Sequence, residues 1–258
     1  MNQTIAAVLS NREVMPETCL MWLEAPEMAA EARPGQFVMV GCDRNFLLRR
    51  PFSIHNVESD RVAILFAATG GGTRWLSQLN SGDSLDIMGP LGNGYTINPE
   101  SKRRLLLVGG GIGIAPLVFL ARRAAAQGHR VTLLMGAYSE AQLYPAAKLA
   151  PEIEFVTTTE TGDDGRMVTE LIPEYAPGAD QVFACGPAAM YRAMATRREA
   201  LGLMGKSVQV SLEVRMACGY GVCYGCTIKT RQGLKQVCRH GPVFEMDDIL
   251  WDKFPSNI

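Results

Sequence analysis

The pattern Cys218-x4-Cys223-x2-Cys226, with Cys238 following after eleven intervening residues, constrains this chain more than any other feature. Four of its seven cysteines fall within 21 residues. A segment that short cannot bury a hydrophobic core of its own, so the thiols are expected to fold around something they bind. C-x4-C-x2-C is the plant-type spacing of a [2Fe–2S] cluster held by four thiolates. Glycines fill the gaps, in Cys218-Gly219-Tyr220-Gly221-Val222-Cys223-Tyr224-Gly225-Cys226. They let the loop curl and turn backbone N–H groups toward anionic sulfurs. Zinc is the rival occupant, because Cys223-x2-Cys226 is also a zinc spacing. Four buried thiols or two disulfides would not need this clustering among glycines. An iron–sulfur cluster carries one electron at a time, so the chain is expected to move electrons.

The remaining composition sets limits. At 258 residues the chain is long enough for about two domains. A net charge of −1 provides no basic face for nucleic acid. The segment from Leu105 to Leu120 is apolar, but it is too short for a membrane span and holds Gly109, Gly110, Gly111, Gly113 and Pro116. The first residues show no basic start followed by an apolar core, so no export signal is read and a reducing cytoplasm is expected. Cys19, Cys42 and Cys185 are then unpaired thiols. His55, His129 and His240 are scattered without metal spacing and read as structural.

Residues 1–99 read as short strands broken by turns, which suggests a small β-barrel. The runs Gln36–Val40 and Arg61–Phe66 are β-rich, and Pro34-Gly35, Ser81-Gly82-Asp83 and Gly89-Pro90 punctuate them. Within this part lies Arg50-Pro51-Phe52-Ser53. Arginine offers a donor fork suited to a pyrophosphate, and an aromatic two residues along a strand lies on the same face and can cover a flat ring. Gly70-Gly71-Gly72-Thr73 then precedes a helically spaced run from Arg74 to Leu79, with Thr73 as the expected N-cap and the helix start as an anion site. Together the two elements point to a flavin dinucleotide.

From about residue 100 the pattern changes to buried strands alternating with helices, which indicates a parallel α/β sheet. Strands are read at Arg104–Val108, Val131–Met135, Ile153–Thr157 and Gln181–Ala184, and a helix over 115–126. The turn Gly109-Gly110-Gly111-Ile112-Gly113 follows the first strand, where a dinucleotide phosphate sits in such sheets. The strict G-x-G-x-x-G fingerprint is not met. Cys185-Gly186-Pro187 also follows a strand, at the carboxyl end where these sheets bind ligands. No arginine stands in Gly136-Ala137-Tyr138-Ser139 to hold a 2′-phosphate, which favours NAD over NADP.

These elements, in this order, resemble the ferredoxin-reductase family over essentially the whole chain. Arg50, Phe52 and Ser53 match its R-x-[YF]-S motif. Gly111-Ile112-Gly113-Ile114-Ala115-Pro116 and Cys185-Gly186-Pro187 match its nicotinamide-domain motifs. The resemblance implies an FAD-binding β-barrel over 1–99, a nicotinamide-binding α/β domain over 100–212 and a small C-terminal [2Fe–2S] lobe over 213–258. It places Arg50 on the flavin pyrophosphate, Phe52 and Ser53 at the flavin ring, and Pro51, Leu65, Phe66, Ala67, Gly72 and Thr73 beside them. Gly111, Gly113 and Cys185 would border the nicotinamide, and Cys218, Cys223, Cys226 and Cys238 would hold the metal.

Ser211–Gly219 and Val237–Phe244 further resemble the electron-transfer subunits of class 1B, NAD-dependent dihydroorotate dehydrogenases. That likeness implies a cytoplasmic role in pyrimidine biosynthesis, with a separate FMN-containing catalytic subunit as partner in a heterotetramer of two plus two. Electrons would pass from dihydroorotate to FMN, the cluster, FAD and NAD⁺. The chain itself has no room for a second barrel of about 250 residues. The same cofactor set would also suit a diaphorase subunit of a hydrogenase or of a bifurcating transhydrogenase. A cluster lobe of this size must lean on its own chain or on a partner.

Overall fold

The computed structural model describes residues 2–98, 103–162 and 165–255. The first part is a closed antiparallel barrel. Its strands are β1 (Asn2–Met15), β2 (Thr18–Glu24), β3 (Phe37–Val40), β4 (Arg50–Glu58), β5 (Arg61–Ala67) and β6 (Ser84–Leu91), closing in the order β1-β2-β5-β4-β3-β6. Alternation decides what points inward: Met21 and Leu23 of β2, Val38 and Val40 of β3, Ile64 of β5, and Leu85 and Ile87 of β6 fill the barrel core. Helix α1 (Pro26–Glu31) opens on a proline in its first turn and buries Met28 and Ala29 against that core.

Helix α2 (Gly71–Ser77) begins three residues before the run that shows helical spacing in the sequence. Its N-cap is Gly70, and Thr73 sits one turn inside. The Thr73 hydroxyl donates to the Gly70 carbonyl and accepts from the Gly70 N–H, both at 3.0 Å. The expectation of Thr73 as N-cap is therefore corrected: the glycines are themselves helical, and the threonine closes the turn from the third position.

The second part is built on strands β7 (Arg104–Gly110), β8 (Arg130–Ala137), β9 (Ile153–Thr159), β10 (Gln181–Cys185) and β11 (Val208–Ser211), all mutually parallel. Leu105–Val108 and all of β10 are buried without alternation, as strands covered on both faces must be. Helix α3 (Ile114–Ala126) makes the crossover from β7 to β8 and buries most of its surface between sheet and barrel. Helices α4 (Ile172–Tyr175) and α5 (Ala188–Thr196) cover the other face. The apolar stretch 105–120 is thus a strand, a turn and half a helix, and no helix among the described residues is long and apolar enough to cross a membrane.

The cysteine-bearing end forms a hairpin of β12 (Thr227–Thr230) and β13 (Gly233–Gln236), a single turn α6 (Val237–His240) and strand β14 (Val243–Glu245). β14 pairs antiparallel with β11, which makes the sheet order β14-β11-β10-β7-β8-β9. The lobe therefore leans on its own chain: it supplies the edge strand of the parallel sheet. The segment between barrel and sheet is pinned as well. The Tyr95 hydroxyl donates to the Ala184 carbonyl, and Gln181 and Gln209 bond the backbone of Thr96. The 99/100 division read from the sequence lies outside the described residues.

Candidate functional site

Three sites follow one another along the seam between barrel and sheet. The first is a cavity of about 630 Å³ at the open end of the barrel. Arg50, Pro51, Phe52 and Ser53 of β4 line it, with Leu65, Phe66 and Ala67 of β5 and Thr73 of α2. Ile112 and Ala115 close it from the sheet side, and Leu212–Met216 form a further wall. Phe52 lies against Phe66 with ring centroids 5.5 Å apart and planes tilted by 49°, so one apolar wall is built from two neighbouring strands.

The two adjacent arginines have separate fates. Arg49 pairs with Asp86 of β6 at 2.5 Å. Arg50 donates to the Leu48 carbonyl at 2.5 Å, lies 5.8 Å from the Phe46 ring centroid, and has no carboxylate partner among the described residues. Its fork is left for an anion. Gly72 does not line the cavity. A Cβ there would come within 3.1 Å of the Cys42 sulfur and 3.4 Å of Arg50 Nε, so its bare backbone is the floor on which Arg50 rests. An arginine beside a wide aromatic wall fits a flavin dinucleotide: pyrophosphate at one end, ring system at the other.

The second cavity, of about 500 Å³, opens at the carboxyl ends of β7, β8 and β10, where a parallel sheet binds ligands. Gly110, Gly111, Ile112 and Gly113 line it, with Gly136–Tyr138, Glu160, Arg166, Gly186 and Pro187. Gly111 has φ +54°, and a Cβ there would meet nothing within 4 Å, so that position faces open space. Gly113 is different: a Cβ would run into the Cys185 carbonyl. Cys185 lies beneath the cavity rather than in it, fully buried, and burial followed by the nearby Glu213 carboxylate pushes its thiol far up. The Cys–Gly–Pro turn thus presents Gly186 and Pro187, while its cysteine packs.

The two cavities share Ala67, Ile112 and Glu213. Glu213 was not singled out in the sequence. It stands two residues past the end of β11, open to the cleft and walled by protein elsewhere, and burial raises its carboxyl pKa. The signal available was an acid just beyond a strand's carboxyl end, a common enough arrangement to pass unnoticed.

The third site holds the cysteines. Cys226 and Cys238 are buried, Cys218 is half-buried and Cys223 is exposed, and all seven cysteines are free thiols. The Cys226 and Cys238 sulfurs are 3.3 Å apart. Burial raises the Cys218 thiol, but the backbone N–H groups of Cys223, Tyr220 and Val222 outweigh it and bring the pKa down to about 6. The opposite holds for Cys238, pushed up to about 12 by burial and then by Cys226. Gly219, at φ +81°, lies directly on Met39 of β3, where no side chain would fit. Among the described residues no three ligating side chains converge on one metal ion. A two-iron cluster is held by pairs of thiolates, and the close Cys226–Cys238 pair with inward N–H donors at Cys218 fits that donor set.

The comparisons agree with this geometry. A family profile described as the iron–sulfur cluster binding domain of dihydroorotate dehydrogenase B matches residues 213–250. The chain is 40% identical over 252 residues to the "Dihydroorotate dehydrogenase B (NAD(+)), electron transfer subunit" of Caldanaerobacter subterraneus subsp. tengcongensis, covering 95% of this chain and 98% of that one. It is 36% identical over 260 residues to the protein of the same name from Desulforamulus reducens, covering 96% and 98%. Among solved structures, an NADH-dependent reduced ferredoxin-NADP oxidoreductase superposes with a TM-score of 0.85 at 26% identity, covering 96% of this chain and 91% of that one. A ferredoxin NADP⁺ reductase from Neisseria gonorrhoeae with bound FAD and NADP shares the fold, with a TM-score of 0.63 at 18% identity over 78% of this chain and 92% of that one. The chain belongs to the family of dihydroorotate dehydrogenase B electron-transfer subunits, flavin- and iron–sulfur-binding oxidoreductase subunits of ferredoxin-reductase-like architecture.

Proposed function

We propose that this chain carries electrons from an FMN-containing, dihydroorotate-oxidising subunit, through a [2Fe–2S] cluster and FAD, to NAD⁺ in pyrimidine biosynthesis. The observation that carries the reading is the course of residues 211–218. Glu213 borders both cavities, Leu212–Met216 wall the flavin cavity, and Cys218 is the first of the four cysteines. One stretch of eight residues thus touches all three sites, which is the arrangement a relay needs.

In this reading Arg50, Phe52, Ser53, Leu65, Phe66, Ala67 and Thr73 hold FAD, with Pro51 in the wall and Gly72 beneath Arg50. Gly111 faces the nicotinamide dinucleotide, and Gly113 and Cys185 support its turn from below. The four cysteines ligate iron. FAD, when bound, exchanges electron pairs with a nicotinamide and single electrons with a cluster. The protein walls off the site, orients the ligands and places one carboxylate where they meet. The proposed divisions are 1–99, 100–212 and 213–258, and β14 of the last pairs into the sheet of the second.

NAD is the expected coenzyme. Glu160 lines the second cavity, and Arg166, which also lines it, pairs with Glu174 at 2.6 Å. A carboxylate in that lining disfavours an added 2′-phosphate. The partner is expected to dock on the cluster loop, where Tyr220, Val222 and Tyr224 are exposed, to form a heterotetramer of two plus two in the cytoplasm. The likeness to the ferredoxin-NADP oxidoreductase chain favours, as a second reading, a diaphorase subunit of a bifurcating enzyme.

The test is reconstitution. The purified chain should oxidise NADH with artificial acceptors and leave dihydroorotate untouched. Adding the FMN subunit should couple dihydroorotate oxidation to NAD⁺ reduction, and Tyr220→Asp should weaken that coupling without bleaching the cluster. Dihydroorotate turnover by this chain alone, or full coupling in a chain lacking the cluster, overturns the reading.

A further inference from the structure

His55 lines neither cavity and joins the barrel to the sheet from within the protein. Its ring is buried to 2% exposure on β4, two residues beyond Ser53. Nδ1 lies 2.8 Å from the carbonyl of Ala115, in the first turn of α3, and Nε2 lies 3.0 Å from the Tyr144 hydroxyl, in the segment after β8. Both ring nitrogens are thus committed across the boundary between the two parts. The carbonyl can only accept, so Nδ1 carries the proton and Nε2 accepts from Tyr144.

What His55 connects is specific. On its own strand, Arg50, Phe52 and Ser53 line the flavin cavity. On the other side it holds Ala115, which also lines the flavin cavity and directly follows the Gly111–Ile114 turn that borders the nicotinamide cavity. One hydrogen bond therefore ties the strand under one ligand to the first turn of α3, and the second, to Tyr144, fixes the ring that makes it. Packing alone would hold the two parts together, since α3 already buries Phe119 in the barrel core. Apolar packing has no direction, whereas the Nδ1 bond fixes the position of the turn and the Tyr144 hydroxyl fixes the rotation of the ring.

We propose that His55 is a positioning residue that sets the separation between the nicotinamide and the flavin by holding the first turn of α3 against β4. This rests on the two cavities being the flavin and nicotinamide sites.

The test uses the chain loaded with FAD and cluster. His55→Leu removes both bonds, and His55→Asn keeps a donor near the position of Nδ1. In His55→Leu, amide exchange over residues 112–119 should accelerate, and NAD⁺ affinity by calorimetry should stay within about threefold. The limiting rate of flavin bleaching by saturating NADH should fall about tenfold or more, because sub-ångström misplacement of reacting groups is costly. His55→Asn should recover most of that rate. A purely cohesive role would lower the melting temperature and leave the limiting rate alone. A His55→Leu chain that keeps its FAD and bleaches at the wild-type rate overturns the assignment. If His55→Leu loses FAD, His55→Phe, which keeps a ring and removes both bonds, decides: a reduced limiting rate with full FAD content supports the role, and an unchanged rate overturns it. Failure of wild-type chain to be bleached by NADH would instead overturn the functional reading itself.

Discussion

The sulfurs of Cys226 and Cys238 stand 3.3 Å apart, and the backbone N–H of Cys238 lies 3.4 Å from the Cys226 sulfur. Two thiols from either side of a hairpin are thus brought to one point before any metal is considered. Anaerobically prepared protein should contain about two irons and two acid-labile sulfides per chain. Cys226→Ser should abolish the visible cluster spectrum while most FAD remains. Stoichiometric zinc without sulfide would show the site to be a zinc site.

Arg50 should dominate the grip on the flavin pyrophosphate, since Arg49 is already occupied by Asp86. Arg50→Ala should weaken FAD binding by about 1.5–3 kcal/mol, roughly 10- to 150-fold in Kd. Fluorescence titration of the apoprotein measures this directly. An unchanged Kd would remove Arg50 from the pyrophosphate site.

The two glycines of the first βα turn should respond differently to substitution. At Gly111 an added Cβ meets no protein atom within 4 Å, although φ +54° strains any side chain there, so Gly111→Val should lose some stability, retain FAD and slow bleaching by NADH severely. At Gly113 the new Cβ would strike the Cys185 carbonyl, so Gly113→Ala should lower the melting temperature. Equal behaviour of the two variants would contradict this division.

Glu213 is the carboxylate common to both cavities, and burial raises its pKa. Glu213→Gln removes that titration without changing shape. The pH profile of NADH-dependent flavin reduction should lose its acidic limb in the variant. An identical limb in wild type and variant would assign it to another group.

His55 makes a definite prediction about acid stability. Burial, followed by the influence of Arg122 and Lys148 and against the hydrogen bond to Ala115, lowers its pKa from 6.5 to about 4. Protonation is therefore easier in the unfolded chain. Stability is fully present above about pH 6.5 and is lost as pH falls toward 4, by up to about 3 kcal/mol for a shift of this size. Melting curves of wild type and His55→Asn between pH 4.5 and 7.5 should converge as pH falls. Parallel curves would show that His55 does not titrate in this range.

Much of this protein was legible in its sequence because the informative features are local. Four cysteines with fixed spacing, an arginine and an aromatic on one strand face, and a glycine turn after an unbroken apolar strand each report chemistry within a few residues. The strands β7, β8 and β10 were readable for the same reason: their apolar runs have no other use than burial on both faces. Strand β1 was not located, because only three of its fourteen residues are buried and such a strand shows no clear apolar alternation.

What the tertiary structure alone decided are relationships between distant residues. Sequence order does not reveal that β14 would become the sheet's edge strand, that Cys185 would pack while Gly186 and Pro187 face the cavity, or that Glu213 would border two cavities. Nor does it show that His55 would reach Ala115 and Tyr144, 60 and 89 positions away. Local chemistry is written in residue types and spacing, so the sequence suffices for it. Which distant groups come within hydrogen-bonding reach depends on how barrel, sheet and cluster lobe pack, and that is settled by the whole chain at once.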